Sequence, residues 1–180
     1  MNGKIEFKES LERRFNVVQI LSGHIKYYNE EVLPKYIDFK FKEIIKFIKN
    51  NGGSSYIVSA GFMDSINVVA KNLKVDKKYC FANEFIKKDK KVLGFNKTNP
   101  LINSDGKIRV AKKIKKEHSH KKIICIGDGN SDWLIKREKM ADEFWGFWAN
   151  VRRENLAKKA DRNFYSSKEL LEFINLMGAA

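Results

Sequence analysis

The apolar positions of this chain change period several times, and those changes divide it into elements. Over residues 6–21, Phe7, Leu11, Phe15, Val18 and Leu21 recur at the three- and four-residue spacing of one helix face. A second short helix is predicted over 28–35, ending near Pro34. Residues 39–50 predict a clearly two-faced helix, stopped by Asn51-Gly52-Gly53. Beyond it the period shortens. Tyr56-Ile57-Val58 is an apolar run of strand length that ends at Ser59-Ala60-Gly61, and 63–73 return to helical spacing. Strand 79–82 follows, then a hairpin over 84–95 with a Lys/Asp turn, then a helix over 107–117. Ile123-Ile124-Cys125-Ile126 is a continuous apolar strand running straight into Gly127-Asp128-Gly129. The remainder reads as helix 132–139, strand 144–147, helix 151–159, strand 163–165 and a last helix to about Leu176, opened by the capping box Ser166-x-x-Glu169.

Strand and helix in alternation predict an α/β fold, a Rossmann-like parallel sheet with helices on both faces. The first 37 residues add a small helical region, and 84–95 add a hairpin. In such sheets ligands bind outside the carboxyl ends of the strands. That rule singles out Ser59-Ala60-Gly61 and Gly127-Asp128-Gly129-Asn130-Ser131-Asp132.

Composition narrows the class. The chain has 180 residues, 43% hydrophobic and 32% charged, which suits one globular domain. No apolar run spans a bilayer and the first ten residues lack the apolar core of a secretory signal, so a cytoplasmic protein is expected. Cys80 and Cys125 sit in apolar runs and read as reduced, buried thiols. His118 and His120 lie in a polar stretch and read as an exposed turn. The net charge of +14 invites a polyanion partner, yet only seven of the 36 basic residues are Arg and the lysines are dispersed. A solvated lysine coat is the expectation, which argues against a nucleic-acid partner.

Three features carry chemistry. Asp128 and Asp132 at a strand-to-helix turn, with glycine on each side of Asp128, suit a hard divalent cation such as Mg²⁺, though an Asp there also serves as a turn or helix cap. Ser59, with Gly61 two residues on, offers a hydroxyl and backbone N–H groups to an anion, or simply caps a helix. Lys107, after the loop Asn103-Ser104-Asp105-Gly106, is one of 29 lysines and gains interest from its place in the series. A hydroxyl and N–H cradle, a lysine and an Asp pair, in that order, are parts that phosphoryl transfer needs.

With I-V-S-A-G-F (57–62), Lys107 in S-D-G-K and I-G-D-G-N-S-D (126–132), the chain resembles the haloacid dehalogenase superfamily. Y-C-F-A-N-E-F with its hairpin, G-F-W-A-N-V near 148, K-K-A-D near 160 and the opening G-K-I-E-F-K-E-S-L-E-R-R (3–14) are similar to its phosphoserine phosphatases. The resemblance implies a Mg²⁺-dependent phosphomonoesterase working through an aspartyl-phosphate, with residues 1–37 as helical cap and 38–180 as an incomplete core. It implies catalytic roles for Ser59, Lys107 and Asp132, with Lys107 oriented by Asp132. Ser59, Ala60, Gly61 and Lys107 would bind phosphate, Arg14 the carboxylate of phosphoserine, and Asp128 the metal.

The chain departs from that pattern at its start. The family's nucleophile lies in an Asp-x-Asp motif on a first strand upstream of the cap, and Met1 aligns inside the cap region. Asp38, Asp64 and Asp76 follow no such strand. The expectation is therefore a missing central strand between those carrying 56–58 and 123–126, with unpaired edges on both sides. A truncated phosphatase inactive as an isolated chain, a non-catalytic remnant whose sheet has closed up, and a subunit completed by a strand-donating partner or another copy are the three expected outcomes. Ala60 stands where a second Gly is usual, Ser131 where Asn or Thr is commoner, and Trp148 is expected near the ligand face.

Overall fold

The structure, a computed structural model, describes residues 6–178; residues 1–5, which open the expected cap, lie outside them. Helix α1 (Phe7–Val17) buries Leu11, and its Phe7 and Phe15 pack with Phe95 and Ile102. It is shorter than its apolar spacing predicts. Val17 and Val18 are adjacent β-branched residues that crowd a helix, and residues 18–21 run extended instead. There the Val92 N–H donates to the Ile20 carbonyl and Leu21 pairs with Lys91. The second helix begins earlier than predicted, as α2 (Ser22–Tyr27), and continues through a π turn at Tyr28–Val32 and a 3-10 turn at Leu33–Tyr36. Pro34, lacking an N–H, fits this tightening at the end.

Helix α3 (Lys40–Asn50) ends as predicted, with Gly52 at φ +71° where a side chain would be strained. Strand β1 (Ile57–Phe62), helix α4 (Met63–Leu73) and strand β2 (Cys80–Asn83) follow. Then come the antiparallel hairpin β3 (Phe85–Lys88) and β4 (Lys91–Phe95), helix α5 (Gly106–Glu117) and strand β5 (Ile124–Gly127). Helix α6 (Asn130–Arg137), strand β6 (Glu143–Phe147), a short α7 (Glu154–Ala157), strand β7 (Arg162–Phe164) and helix α8 (Ser167–Gly178) complete the order. The expected helix over 151–159 thus shrinks to one turn. The predicted capping box is half formed: the Glu169 N–H donates to Ser166 Oγ, while the Glu169 carboxylate accepts from Tyr165 rather than Ser166.

The parallel strands form two half-sheets, β1-β2 and β5-β6-β7. Alternation places both between shared helices. Ile124 and Ile126 pack with Ile44 of α3 and Leu170 and Ile174 of α8, whereas Ile123 and Cys125 face Ala111 of α5 and Ile135 of α6. On β1, Ile57 joins the α3–α4 cluster and Val58 joins Val110 and Ile114 of α5. Yet β1 and β5 are not paired, and no described strand lies between them. A cavity of about 890 Å³ fills that position, lined by Ile57 and Val58 on one side and Ile124–Gly127 on the other. Every residue of β5 is half-buried, as are all of β1 except exposed Gly61, whereas Phe144, Trp145 and Gly146 of β6 are fully buried. The expected remnant with a closed-up sheet therefore does not match this arrangement.

Three sequence readings need correction. Cys125 is half-buried because it lies on the edge of the cavity; Cys80 is buried, and both are free. His118 is held by Tyr56, whose hydroxyl lies 2.7 Å from Nε2, so it is part of the packing at the end of α5. Trp148, expected to be bulky near the ligand face, is buried: its indole N–H donates to Asn163 Oδ1 at 2.7 Å, and its ring lies against Gly146, where a Cβ would collide with it. Among the described residues no helix is long and apolar enough to cross a membrane.

Candidate functional site

The tips of β1 and β5 carry the residues singled out by the sequence. At β1 the pairing with β2 steps from Val58↔Phe81 to Phe62↔Asn83, so four residues advance on one strand against two on the other. Ser59-Ala60-Gly61 bulge from the ladder as a result, which re-aims their backbone. The Gly61 N–H turns back to Ser59 Oγ at 3.0 Å. Gly61 is exposed and Ser59 half-buried, so a hydroxyl and an amide stand together at the strand tip. Those are hydrogen-bonding groups for an anion.

At β5 the chain turns through Gly127-Asp128-Gly129 into α6. Asp132, 8% exposed, reaches back to accept from the Gly129 N–H at 3.0 Å through Oδ2. Its Oδ1 accepts from Lys107 Nζ at 2.7 Å. Gly127 is required by this close approach, since a Cβ there would fall on the Asp132 carboxyl. Lys107 starts α5, a helix packed on β1, so the ion pair links the two half-sheets at their tips. Gly106, the preceding residue, lies directly on Pro100 and Leu101, leaving no room for a side chain.

Asp128 is exposed, and the nearest cation is the Arg153 guanidinium at 3.8 Å. Both oxygens of Asp132 already have partners, whereas Asp128 has only the longer Arg153 contact, which makes it the more accessible carboxylate of this pair for a metal cation. No cluster of three potential metal-ligating side chains occurs among the described residues. One carboxylate is nonetheless compatible with Mg²⁺, which commonly keeps several waters and takes one or two protein carboxylates plus substrate phosphate oxygens.

Arg14 stands apart from this group. It is exposed on α1, with its Nε donating to the Ser10 carbonyl at 3.1 Å. The neighbouring Phe15 packs against Phe62 at the end of β1 and against Phe85, with ring centroids 6.0 and 6.1 Å away. The helix bearing Arg14 is thus anchored three residues beyond Ser59. Two residues escaped sequence reasoning. Arg153 beside Asp128 has no local signature. Asn83, fully buried at the carboxyl end of β2, does have one: a polar residue closing an apolar strand.

No family model matches the chain. It is similar to the chloroplastic phosphoserine phosphatase of Arabidopsis thaliana, at 27% identity over 97% of this chain and 59% of that protein. It is also similar to the phosphoserine phosphatase of Bos taurus, at 28% identity over 99% of this chain and 76% of that one. Among solved structures, a phosphoserine phosphohydrolase-like protein from Francisella tularensis subsp. tularensis SCHU S4 superimposes with a TM-score of 0.83 at 26% identity, covering 97% of this chain and 80% of that chain.

Proposed function

We propose that this chain, which is phosphoserine phosphatase-like and of the haloacid dehalogenase superfamily, supplies the phosphate-binding and metal-binding part of a phosphomonoester hydrolase site, completed when an extended strand occupies the cavity between β1 and β5. The observation that supports this reading is the Lys107–Asp132 pair, which holds an ammonium at the strand-to-helix turn that carries Asp128.

On this reading Ser59 Oγ and the Gly61 N–H bind phosphoryl oxygens, Ala60 contributes backbone, and Lys107 neutralises their charge while Asp132 holds it in place. Asp128 ligates Mg²⁺, which when bound supplies charge neutralisation and a template for the phosphate. Residues 1–37 act as the cap and 38–180 as the core. Arg14 takes the carboxylate of phosphoserine, the favoured substrate. The free thiols Cys80 and Cys125 fit a reducing compartment such as the cytoplasm.

None of the seven described strands carries an Asp-x-Asp motif, so the nucleophile belongs to the incoming strand. Its carboxylate oxygen would attack phosphorus as the P–O bond to the serine oxygen breaks. The serine oxygen takes its proton from the second carboxyl of the same Asp-x-Asp motif, and that carboxylate then takes a proton from the water that attacks the acyl phosphate, releasing inorganic phosphate and restoring the first Asp. The cavity asks for an extended segment of about four to six residues, matching its neighbours in length and apolar on both faces. On this reading the chain turns over no substrate until that segment is in place.

The test adds a synthetic apolar strand peptide ending in Asp-x-Asp to the purified chain with Mg²⁺ and follows phosphate release from phosphoserine. Release that needs the peptide and stops when its first Asp is Asn is expected. Turnover by the chain alone at ordinary enzyme rates, or no phosphate binding by the chain in any condition, overturns the reading. In the completed site Arg14→Ala should weaken phosphoserine more than phosphoesters that lack a carboxylate; equal weakening would remove that role.

A further inference from the structure

We infer that Asn83 is a positioning residue for this site, tying the Ser59-Ala60-Gly61 bulge to the segment that delivers Lys107; the inference rests on the phosphate-binding role given above to that bulge. Asn83 ends β2, is fully buried, and pairs with Phe62 across the register shift. Its Nδ2 donates to the Ala60 carbonyl at 2.8 Å and approaches the Leu101 carbonyl at 3.5 Å. A bulge takes backbone groups out of the ladder, and a buried carbonyl that loses its ladder partner needs another. Asn83 is that partner for Ala60.

The assignment of the amide is chemically forced. Two carbonyl oxygens face this end of the side chain, and only an NH₂ group can donate to both. The other end, Oδ1, has no protein partner, so burial of this residue is not explained by complete satisfaction of its own polar atoms. Its geometry, however, reaches both sides of the proposed cradle. The Ala60 carbonyl and the Gly61 N–H belong to one planar peptide. Holding the carbonyl therefore fixes the direction of the N–H, which donates to Ser59 Oγ at 3.0 Å and so aims the hydroxyl offered to a phosphoryl oxygen. On the other side, Leu101 lies directly against Gly106, the residue before Lys107. Asn99 reinforces this segment by donating from Nδ2 to the Ala82 carbonyl at 2.8 Å and accepting the Leu101 N–H at 3.0 Å. One side-chain amide thus sets the spacing between the Ser59–Gly61 pair and an ammonium that, on the reading above, meet the same anion.

The test titrates inorganic phosphate, with Mg²⁺, into the purified wild-type chain and into Asn83→Leu, which roughly keeps the shape and removes the donor. Affinity is read by calorimetry, and the Gly61 amide resonance by NMR. Ile174→Val, a core change in α8, serves as a control for general destabilisation. The expected result is a tenfold or greater loss of phosphate affinity in Asn83→Leu, with the Gly61 amide displaced before phosphate is added, while Ile174→Val keeps wild-type affinity. If Asn83→Leu does not fold, Asn83→Ala carries the same comparison. Wild-type affinity in the Asn83 variant, or an equal loss in the control, overturns the positioning role alone. Absence of phosphate binding by the wild-type chain overturns the underlying reading and this inference with it.

Discussion

Lys107 and Asp132, 25 residues apart, close a salt bridge of 2.7 Å with side chains only 18% and 11% exposed. The same carboxylate also caps α6 through the Gly129 N–H. Removing one charge strands the other in a partly dry place, so the two residues should not behave independently. Lys107→Met and Asp132→Asn are each expected to cost about 2 kcal/mol. The double variant should cost less than their sum by about 1 kcal/mol in a urea-denaturation cycle. Strict additivity would show that the pair contributes nothing as a pair.

Gly127 offers a sharper probe of the same carboxylate. A methyl there would occupy the space of the Asp132 carboxyl group, whereas one at Gly129 would stand 3.1 Å from Asp132 Oδ2. Gly127→Ala should therefore destabilise by about 1–3 kcal/mol, the range for overpacking, and displace Lys107 as well. Gly129→Ala should cost less. Thermal melts together with phosphate titrations of the two variants check the ranking, which reverses if Asp132 is not the group being pushed.

The strand at Ile123–Ile126 and the end of an apolar run at Ser59-Ala60-Gly61 are legible in the sequence itself, because apolar period and glycine placement are local properties. So is the order Ser59, Lys107, Asp128, Asp132. What the sequence does not disclose depends on distant partners. The early end of α1 reflects the pairing of Leu21 with Lys91, seventy residues on. Trp148 turns inward because Gly146 leaves room for its ring and Asn163 supplies an acceptor for its N–H. The value of Asn83 lies in the carbonyls of Ala60 and Leu101, neither of which any local pattern brings near it.

Cys125 reports on the cavity from inside. Burial, with Asp132 adding to it and Lys107 opposing, pushes its thiol up to about 12. At pH 8 the thiolate fraction is then about one in ten thousand, against roughly a quarter for a free cysteine. Iodoacetamide should label Cys125 slowly, with a rate rising about tenfold per pH unit between pH 8 and 11. Lys107→Met should slow it further. Site-resolved mass spectrometry checks this, and labelling at the rate of a free cysteine would contradict it.

Acid should weaken the fold partly through Asp161. Burial alone would raise its carboxyl, but the Lys136 ammonium and the Phe144 N–H together hold it below the ordinary carboxylate value. A group with a lowered folded value stabilises above its unfolded value, about 3.9, and that contribution is lost as pH falls through the lower folded value. Asp161→Asn should thus be less stable than wild type at pH 7, and the gap should close below about pH 4. Denaturation midpoints across that range test it; a constant gap would place the effect elsewhere.

Phe41 belongs to two apolar clusters at once, packing with Leu73 and Ile57 on one side and with Ile44 and Phe147 on the other. Its ring meets that of Phe147 edge-on at 5.3 Å. Backbone hydrogen bonds do not cross from one half-sheet to the other, so the two share cooperativity through side chains: this seam, the α5 face that meets both β1 and α6, and the tip salt bridge. Amide exchange should accordingly sort the strands into two families, with β1 and β2 opening at one free energy and β5 to β7 at another. Truncating Phe41 would widen the interval between them and turn a single unfolding transition into two.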